Sequence, residues 1–378
     1  MKISCLQENL IKGLSRVQRA VANRTTLPIT QNVLLETEQG RIKLVATNLE
    51  IAITSWIPAR IDEPGSITVP ARLFTDLVNS LPPSQIDIES TEEPLGIKIT
   101  SEQVDSQLNG LDPSEFPPIP SVDDGIVCEL ESQFLKTAID HVAFAAATEE
   151  SRPVLTGIKV DVNKNNITFA AADGFRLAVY TGTLETEFDG TLDFVIPSRG
   201  LQEVNRLIES TEETVQLTIT PSKSQAVFHL ENAEVVTQLI NGEFPPYQTL
   251  VPDKHETLAK INVSDFFSAS KTASIFARDG SGILRLHFEP NSKDGNGSIT
   301  ITSKSDEVGE STNTISANIE GSKNQIAFNN KFLTDVLGIL KQKDIELLVT
   351  SSSAPGLIRP IGENESYKYV IMPMFVQW

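Results

Sequence analysis

The chain predicts an α+β protein made of three tandem copies of one domain, each with two short helices lining β-sheets. Three observations carry this. A helix-like opening recurs, with Leu10 in ENLIKGLSRVQRAV, Phe134 in SQFLKTAIDHVAFAAA and Phe266 in SDFFSASKTASIFA. A second short helix introduced by a β-run recurs as ITVPARLFTDLVNSL, FVIPSRGLQEVNRLI and IAFNNKFLTDVLGIL. The openings stand 124 and 132 residues apart and the second helices 127 and 132, so two independent landmarks keep nearly one period. A sustained period of this kind is the mark of repeated domains.

The first module spans 1–120 and closes on GLDPSEFPPIP, whose prolines and glycine cannot continue a helix or a central strand. The second spans 128–250 and closes on NGEFPPYQTLVP, which repeats Glu-Phe-Pro-Pro; the third spans 257–378. Between the helices the residues alternate. Ile42, Leu44 and Ala46 share one strand face and Arg41, Lys43 and Val45 the other, and Ile97 with Ile99 and Val215, Leu217 and Ile219 follow the same rule. Gln39-Gly40, Asn163 to Asn166 and Asp294-Gly295-Asn296-Gly297 read as turns; the last lacks the acidic spacing and terminal Glu of a calcium loop. Each module then holds two helices and roughly eight strands, so helices must line one face of a sheet system.

With 378 residues there is room for three domains, each able to close its own core. A hydrophobic fraction of 39% and a charged fraction of 21% belong to a globular chain. No stretch is apolar for long enough to span a bilayer, and MKISCLQENL has no signal core, so a cytoplasmic protein with no membrane partner is expected. Cys5 and Cys128 fall on equivalent strands of the first two modules and read as buried free thiols.

The formal net charge of −19 taken whole opposes nucleic-acid binding, but its distribution does not. In the first helix Leu10, Leu14, Val17 and Val21 form an apolar stripe, and Lys12, Arg16 and Arg19 repeat that spacing on the far side, toward solvent. Taken over the expected helical segments 8–24, 71–81, 132–147, 198–209, 264–278 and 331–343, the six helices carry +6, leaving −25 on the rest. Such a split suits a body whose helical face meets phosphate while its outside repels it.

In this order the segments Arg24-Thr25-Thr26-Leu27-Pro28-Ile29, Ser151-Arg152-Pro153-Val154-Leu155-Thr156-Gly157, Ala172-Asp173-Gly174-Phe175-Arg176-Leu177-Ala178 and Tyr369-Val370-Ile371-Met372-Pro373-Met374 are matched along the whole chain by one family. The chain resembles the β subunit of bacterial DNA polymerase III, the sliding clamp. The resemblance implies a DNA-clamp domain in each module and a head-to-tail homodimer closing into a six-domain ring with twelve helices inside. Helices at about 10 Å spacing would trace a circle of roughly 120 Å, leaving a lumen of about 28 Å after one helix diameter is removed, enough for hydrated double-stranded DNA. It implies a non-catalytic processivity factor in DNA replication that needs no cofactor, whose partners are the DNA polymerase III α subunit, a clamp loader complex and other proteins carrying a clamp-binding motif.

Contacts in such a lumen go to phosphates, which position without specifying sequence. The resemblance singles out Arg24 and Arg152 as DNA contacts; Lys12, Arg16 and Arg199 join them on charge and helix position. For the peptide-binding cleft it points to Leu155, Gly174, Leu177, Pro245, Leu250, Pro355, Val370, Ile371 and Met372. Both methionines other than Met1 flank Pro373 near the chain end, and methionine suits an adaptable binding surface. Gly174 would let a peptide backbone approach. The tail Phe375-Val376-Gln377-Trp378 and Thr249 at the cleft rim depart from the family pattern. For the dimer interface the positions are Leu108, Ile275 and Phe276, with Ser106 where some members carry an aromatic.

No catalytic constellation emerges. His141, His229, His255 and His287 have no metal-ligand spacing to one another or to the cysteines, and no G-x-S-x-G, phosphate loop or H-E-x-x-H occurs. Asp173-Gly174 reads as a turn. The residues alone leave open a DNA-encircling factor, a scaffold that binds peptides only, and an enzyme assembled between repeats.

Overall fold

The computed structural model describes residues 1–102, 104–120, 125–149, 151–184, 188, 190–278, 281–291, 296–362 and 366–378. Asp294 and Gly295 of the expected turn lie outside these.

The first module runs β1 (Lys2–Leu6), α1 (Gln7–Val17), β2 (Asn32–Glu38), β3 (Arg41–Thr47), β4 (Ile51–Pro58), β5 (Arg60–Glu63), β6 (Ser66–Pro70), α2 (Ala71–Ser80), β7 (Gln85–Glu92), β8 (Leu95–Ser101) and β9 (Val104–Asn109). The second runs β10 (Ile126–Glu131), α3 (Ser132–Val142), β11 (Gly157–Asn163), β12 (Asn166–Ala172), β13 (Arg176–Thr183), β14 (Thr191–Pro197), α4 (Ser198–Leu207), β15 (Thr214–Ile219), β16 (Gln225–His229) and β17 (Ala233–Gln238). The third runs β18 (Thr257–Asn262), α5 (Val263–Arg278), β19 (Ile283–Pro290), β20 (Asn296–Ser305), β21 (Gly309–Gly321), β22 (Asn324–Asn329), α6 (Asn330–Ile339), β23 (Asp344–Val349), β24 (Gly356–Pro360) and β25 (Tyr367–Ile371). The expected two helices and about eight strands recur in each module.

Helix lengths correct the reading. Helix α1 stops at Val17 and tightens into a 3₁₀ turn at Gln18–Ala20, so Arg24 lies beyond the helix in a loop. Helices α4 and α6 end at Leu207 and Ile339, short of the expected 209 and 343. Leu10, Leu14 and Val17 of α1 are buried as the stripe requires, each large aliphatic chain worth about 1.5–3 kcal/mol. A side chain at Gly13 would come within 2.8 Å of Leu44 and Ile57, which shows how closely α1 approaches the sheet. The equivalent positions Ala138 and Ala269 are also small and buried. At α6, Asn329 Oδ1 accepts from the Lys331 and Phe332 amides, capping two otherwise unpaired donors.

The chain forms two compact units, Met1–Leu135 with Arg199–Leu239 and Lys136–Ser198 with Ile240–Trp378. In the first, sheet orders are β5-β1-β7-β8-β9 and β10-β15-β16-β17-β4-β3-β2-β6. In the second, one sheet runs β14-β11-β12-β13-β25-β24-β23-β18-β21-β20-β19-β22.

Adjacent modules are joined in the same way inside each unit. In the first, β4 pairs antiparallel with β17, Ile51 opposite Thr237 and Ser55 opposite Ala233. In the second, β13 pairs antiparallel with β25, Arg176 opposite Ile371 and Tyr180 opposite Tyr367. The Glu-Phe-Pro-Pro linkers are packed over these joints. Phe116 is buried with Ile29 and Val45, and Ile119 covers Ala52, Val227 and Val236. Phe244 packs on Leu177, Tyr247 and Val370. Two edges remain. Strand β9 ends its sheet, and β21 pairs with β20 through Asn318 while only its last residues also meet β18.

Candidate peptide cleft and nucleic-acid interface

The second joint carries most of the expected cleft. Leu177 and Val370 face each other across β13 and β25 and are enclosed with Tyr247, Leu258, Leu348 and Leu357, against which Phe244 and Val251 pack. This is an apolar floor. Around it, Gly174 and Pro245 are exposed, Leu250 is 50% exposed and Met372 43%, so an apolar rim stays open to solvent. Leu250 ends the 3₁₀ turn Tyr247–Leu250, and Pro355 leads into β24. Leu155 is buried in the 3₁₀ turn Pro153–Thr156. Ile371 is fully enclosed and, by strand alternation, shares with Tyr369 the face opposite Val370; the Tyr369 hydroxyl donates to the Phe332 carbonyl of α6 at 2.9 Å. The tail is tethered by Met372 N to Phe175 O at 2.9 Å and Met374 N to Ala327 O at 2.7 Å. Phe375 is 85% exposed and Trp378 stands edge-on to His287.

Beneath this rim lies a buried ionic knot. Asp173 Oδ1 accepts from the Phe175 and Arg176 amides at 2.9 and 3.0 Å, making the expected turn, and its Oδ2 accepts from Arg176 Nε at 2.9 Å. The guanidinium also donates to Asp335 and to the Phe144 carbonyl, each at 2.7 Å, and lies over the Phe332 ring at 4.4 Å. Burial opposes its charge, but Asp335, Tyr369 and Asp173 together hold its pKa above the ordinary value. The Tyr247 hydroxyl donates to Asp161 at 2.9 Å; burial, then the Asp161 charge, push its pKa upward.

The cations divide. Lys12, Arg24, Arg152 and Arg199 are exposed, Arg152 just ahead of Pro153 and Arg199 in the first turn of α4. Arg16 departs from the expected solvent-facing stripe. Its side chain is only 12% exposed, pairs with Glu209 at 2.6 Å and donates to Ser55 at 3.2 Å. Arg19 stays 45% exposed and stands 3.7 Å from Glu203. The reason is the short joint: acids on and just after α4 sit within reach of the far side of α1. Of the seam positions, Ile275 is 61% exposed, Phe276 half-buried and Leu108 buried.

The histidines are used separately. His141 Nδ1 lies 2.7 Å from the Thr137 carbonyl and its ring meets Tyr367, while His229 stands 2.9 Å from Glu234. Both thiols are free and buried, as expected, and burial raises Cys5 to about 12 and Cys128 to about 11. Among the described residues no helix is long and apolar enough to cross a membrane.

Phe175, Arg176, Phe244, Tyr247 and Phe332 join the residues that the sequence places at the cleft. Phe175 and Arg176 lie inside the matched segment around Gly174, and Phe244 inside the repeated Glu-Phe-Pro-Pro, so both signals were present. Phe332 reaches the site only through the pairing of modules, which no local pattern reveals.

Comparison with known proteins accounts for the whole chain. Family models for the DNA polymerase III beta subunit match in order: the N-terminal domain over residues 1–120, the central domain over 129–246 and the C-terminal domain over 248–375. A beta sliding clamp of Bacillus subtilis is 30% identical over 99% of both chains, and one of Staphylococcus epidermidis is 29% identical over the same shares. The crystal structure of the B. subtilis clamp superposes with a TM-score of 0.94 at 29% identity, covering 100% of each chain. A Pseudomonas aeruginosa beta subunit bound to griselimycin superposes at 0.92 with 25% identity, also over 100% of each. With three matched domains in family order and a relative at this identity over full length, the chain belongs to the DNA polymerase III beta subunit family.

Proposed function

We propose that this protein is a DNA polymerase processivity factor: two chains close head to tail into a ring around duplex DNA and tether polymerases through the cleft of the second joint. The observation that carries it is the repeated joint. Strand β17 in the second module and β25 in the third each pair with an edge, β4 or β13, of the module before. Their counterpart in the first module is β9, and the counterpart of β4 and β13 in the third is the first part of β21; among the described residues these two joint positions have no joint partner within the single chain. An unpaired edge is a template for another chain. Repeating the joint register sets Gly309 opposite Leu108 and Asn313 opposite Val104 of a second copy.

Side chains support the same contact. Ile275 occupies in α5 the place that Phe144 holds after α3, and Leu73 occupies in α2 the place of Phe332 in α6. Phe144 and Phe332 both lie against Arg176 in the second joint, whereas Ile275 and Leu73 are 61% and 55% exposed. Because each contact is head to tail, two three-domain chains use both leftover edges and the assembly closes.

Arg24, Arg152, Lys12 and Arg199 meet phosphates in this reading, while Arg16 keeps the first joint. Retention then rests on topology, and loading needs a separate ATP-driven clamp loader. The DNA polymerase III α subunit and other proteins dock extended peptides with apolar anchors on the Leu177–Val370 floor. The family is non-catalytic, in keeping with side chains that bind and position. The test is retention on circular duplex before and after one cut. A ring stays on the closed circle and slides off the linear form; equal loss from both forms contradicts encirclement.

A further inference from the structure

The first joint contains a second version of the peptide cleft, and we propose that Leu49, strapped by Gln238, is what silences it, leaving each chain one peptide site. This rests on the cleft reading given above for the second joint.

The two joints match atom for atom at the turn that borders the cleft. In the second, Asp173 Oδ1 accepts from the Phe175 and Arg176 amides at 2.9 and 3.0 Å, Asp173 N reaches Arg176 O at 3.3 Å, and Met372 N bonds Phe175 O at 2.9 Å. In the first, Asn48 Oδ1 accepts from the Glu50 and Ile51 amides at 3.0 and 2.8 Å, Asn48 N reaches Ile51 O at 3.2 Å, and Gln238 N bonds Glu50 O at 3.1 Å. Leu49 therefore stands where Gly174 stands. Both have left-handed backbone, φ 76° for Leu49 and 92° for Gly174. The floor beneath follows suit, with Ala52, Val236 and Ile119 in the places of Leu177, Val370 and Tyr247.

A leucine with positive φ is a genuine outlier, because its Cβ crowds the backbone. Its presence shows that the turn does not require glycine. Nor is Gly174 needed for packing, since a Cβ built there meets no atom within 4 Å. What Gly174 provides is open space above the apolar floor. At the matching position Leu49 carries a side chain, 50% exposed, where Gly174 has none. Gln238 adds a second closure. Its amide Nε2 donates to the Leu49 carbonyl at 3.1 Å, fixing the rim, whereas its counterpart Met372 has no donor and leaves its rim adaptable. Strain kept at one joint and absent from the other is expected where it serves a function.

The test uses the full chain and a fluorescein-labelled synthetic peptide of alternating leucine and serine, which sets apolar anchors on one face of an extended chain, followed by anisotropy and by binding stoichiometry. The intact protein binds one peptide per chain. Gly174→Leu is expected to fold, with an unfolding midpoint lowered by a few degrees through the left-handed backbone, and to bind at least about tenfold more weakly. Undiminished binding by Gly174→Leu overturns the proposal, and so does its failure to fold, because the turn would then not accept leucine. The double variant Leu49→Gly, Gln238→Met is expected to take up a second, weaker equivalent of peptide; a stoichiometry that stays at one also overturns it. Absence of binding by the unaltered protein instead removes the cleft reading itself.

Discussion

The Arg176 guanidinium donates to Asp335 across 2.7 Å, tying the start of β13 to the last helix, α6. Only 7% of the arginine side chain and 29% of the aspartate are exposed. The equivalent acid in the first joint is Glu203, 8% exposed, which stands 2.6 Å from Arg206 and 3.7 Å from Arg19. Both joints thus seat an acid of the second helix against arginines, through different donors.

Removing one partner of a buried pair leaves the other charge unmet. Arg176→Ala strands Asp173 and Asp335 and deletes the contact with Phe332. The expected loss is about 2 kcal/mol, below the usual 3–5 for buried pairs because water still reaches Asp335. Asp335→Asn keeps an acceptor and is expected to lose about half as much. Urea midpoints at constant slope measure both. A loss under about 0.5 kcal/mol for Arg176→Ala, the range of ordinary surface changes, contradicts a structural role for this knot.

The buried thiols predict an alkaline weakness. Burial, then the Asp87 charge, raise Cys5 to about 12, against an ordinary value near 9. A raised folded pKa means full stability below the unfolded value and progressive loss as pH rises toward the folded one. Between about pH 8.5 and 10 the unfolded thiol ionises while the native one does not, costing up to about 1.4 kcal/mol per pH unit. Cys5→Ala is expected to flatten that slope, read as urea midpoint against pH. The native thiols should also react with a disulfide reagent only as fast as the protein opens.

Much of this fold was legible in the sequence because repetition makes local signals confirm one another. Leu10, Phe134 and Phe266 opened helices, and the alternation at Ile42, Leu44 and Ala46 held. Residues expected at the cleft from matched segments are brought together by the strand pairing, as Leu177 opposite Val370 shows. Long-range facts were not legible. Nothing near Arg16 in sequence announces Glu209, so its burial in an ion pair required the joint. The turn signature at Asn48 was readable only once Asp173 had been superposed on it, because leucine at 49 hides a left-handed position that glycine at 174 advertises.

That division among cations gives a sharp contrast in the salt dependence of duplex binding. Arg24 and Arg152 are exposed, so alanine at either is expected to leave thermal stability within about 0.5 kcal/mol. Each should lower the logarithmic salt dependence of equilibrium affinity for a short open-ended duplex by about one unit, the loss of one phosphate contact. Arg16→Ala should do the reverse, lowering stability by about 1 kcal/mol through lost bonds to Glu209 and Ser55 while leaving the salt slope unchanged. Binding of short duplex over a salt series, run beside melting curves, separates the two behaviours. A salt-slope change for Arg16→Ala as large as that for Arg24→Ala contradicts the division.

The seam predicts a change of assembly without a change of fold. Ile275 and Leu73 are 61% and 55% exposed in the single chain, so charging them disturbs little inside it. In the closed ring each would be covered at the seam, in the places where Phe144 and Phe332 flank Arg176 in the second joint. Ile275→Lys forfeits about 2 kcal/mol of burial at each of two symmetric contacts and adds the cost of desolvating a charge. Because both contacts must form for closure, the two losses act on one equilibrium, weakening dimerisation by on the order of a thousandfold. Sedimentation equilibrium at micromolar concentration should shift from twice 41.3 kDa to 41.3 kDa, with the urea midpoint of the monomer unchanged. Leu73→Lys should do the same from the opposite side. Chains carrying Ile275→Lys mixed with chains carrying Leu73→Glu should recover the closed dimer. One interface of that mixed ring sets the new lysine against the new glutamate, and the other keeps the parental Ile275 against the parental Leu73. Mixed chains that remain entirely monomeric would place these residues outside the contact.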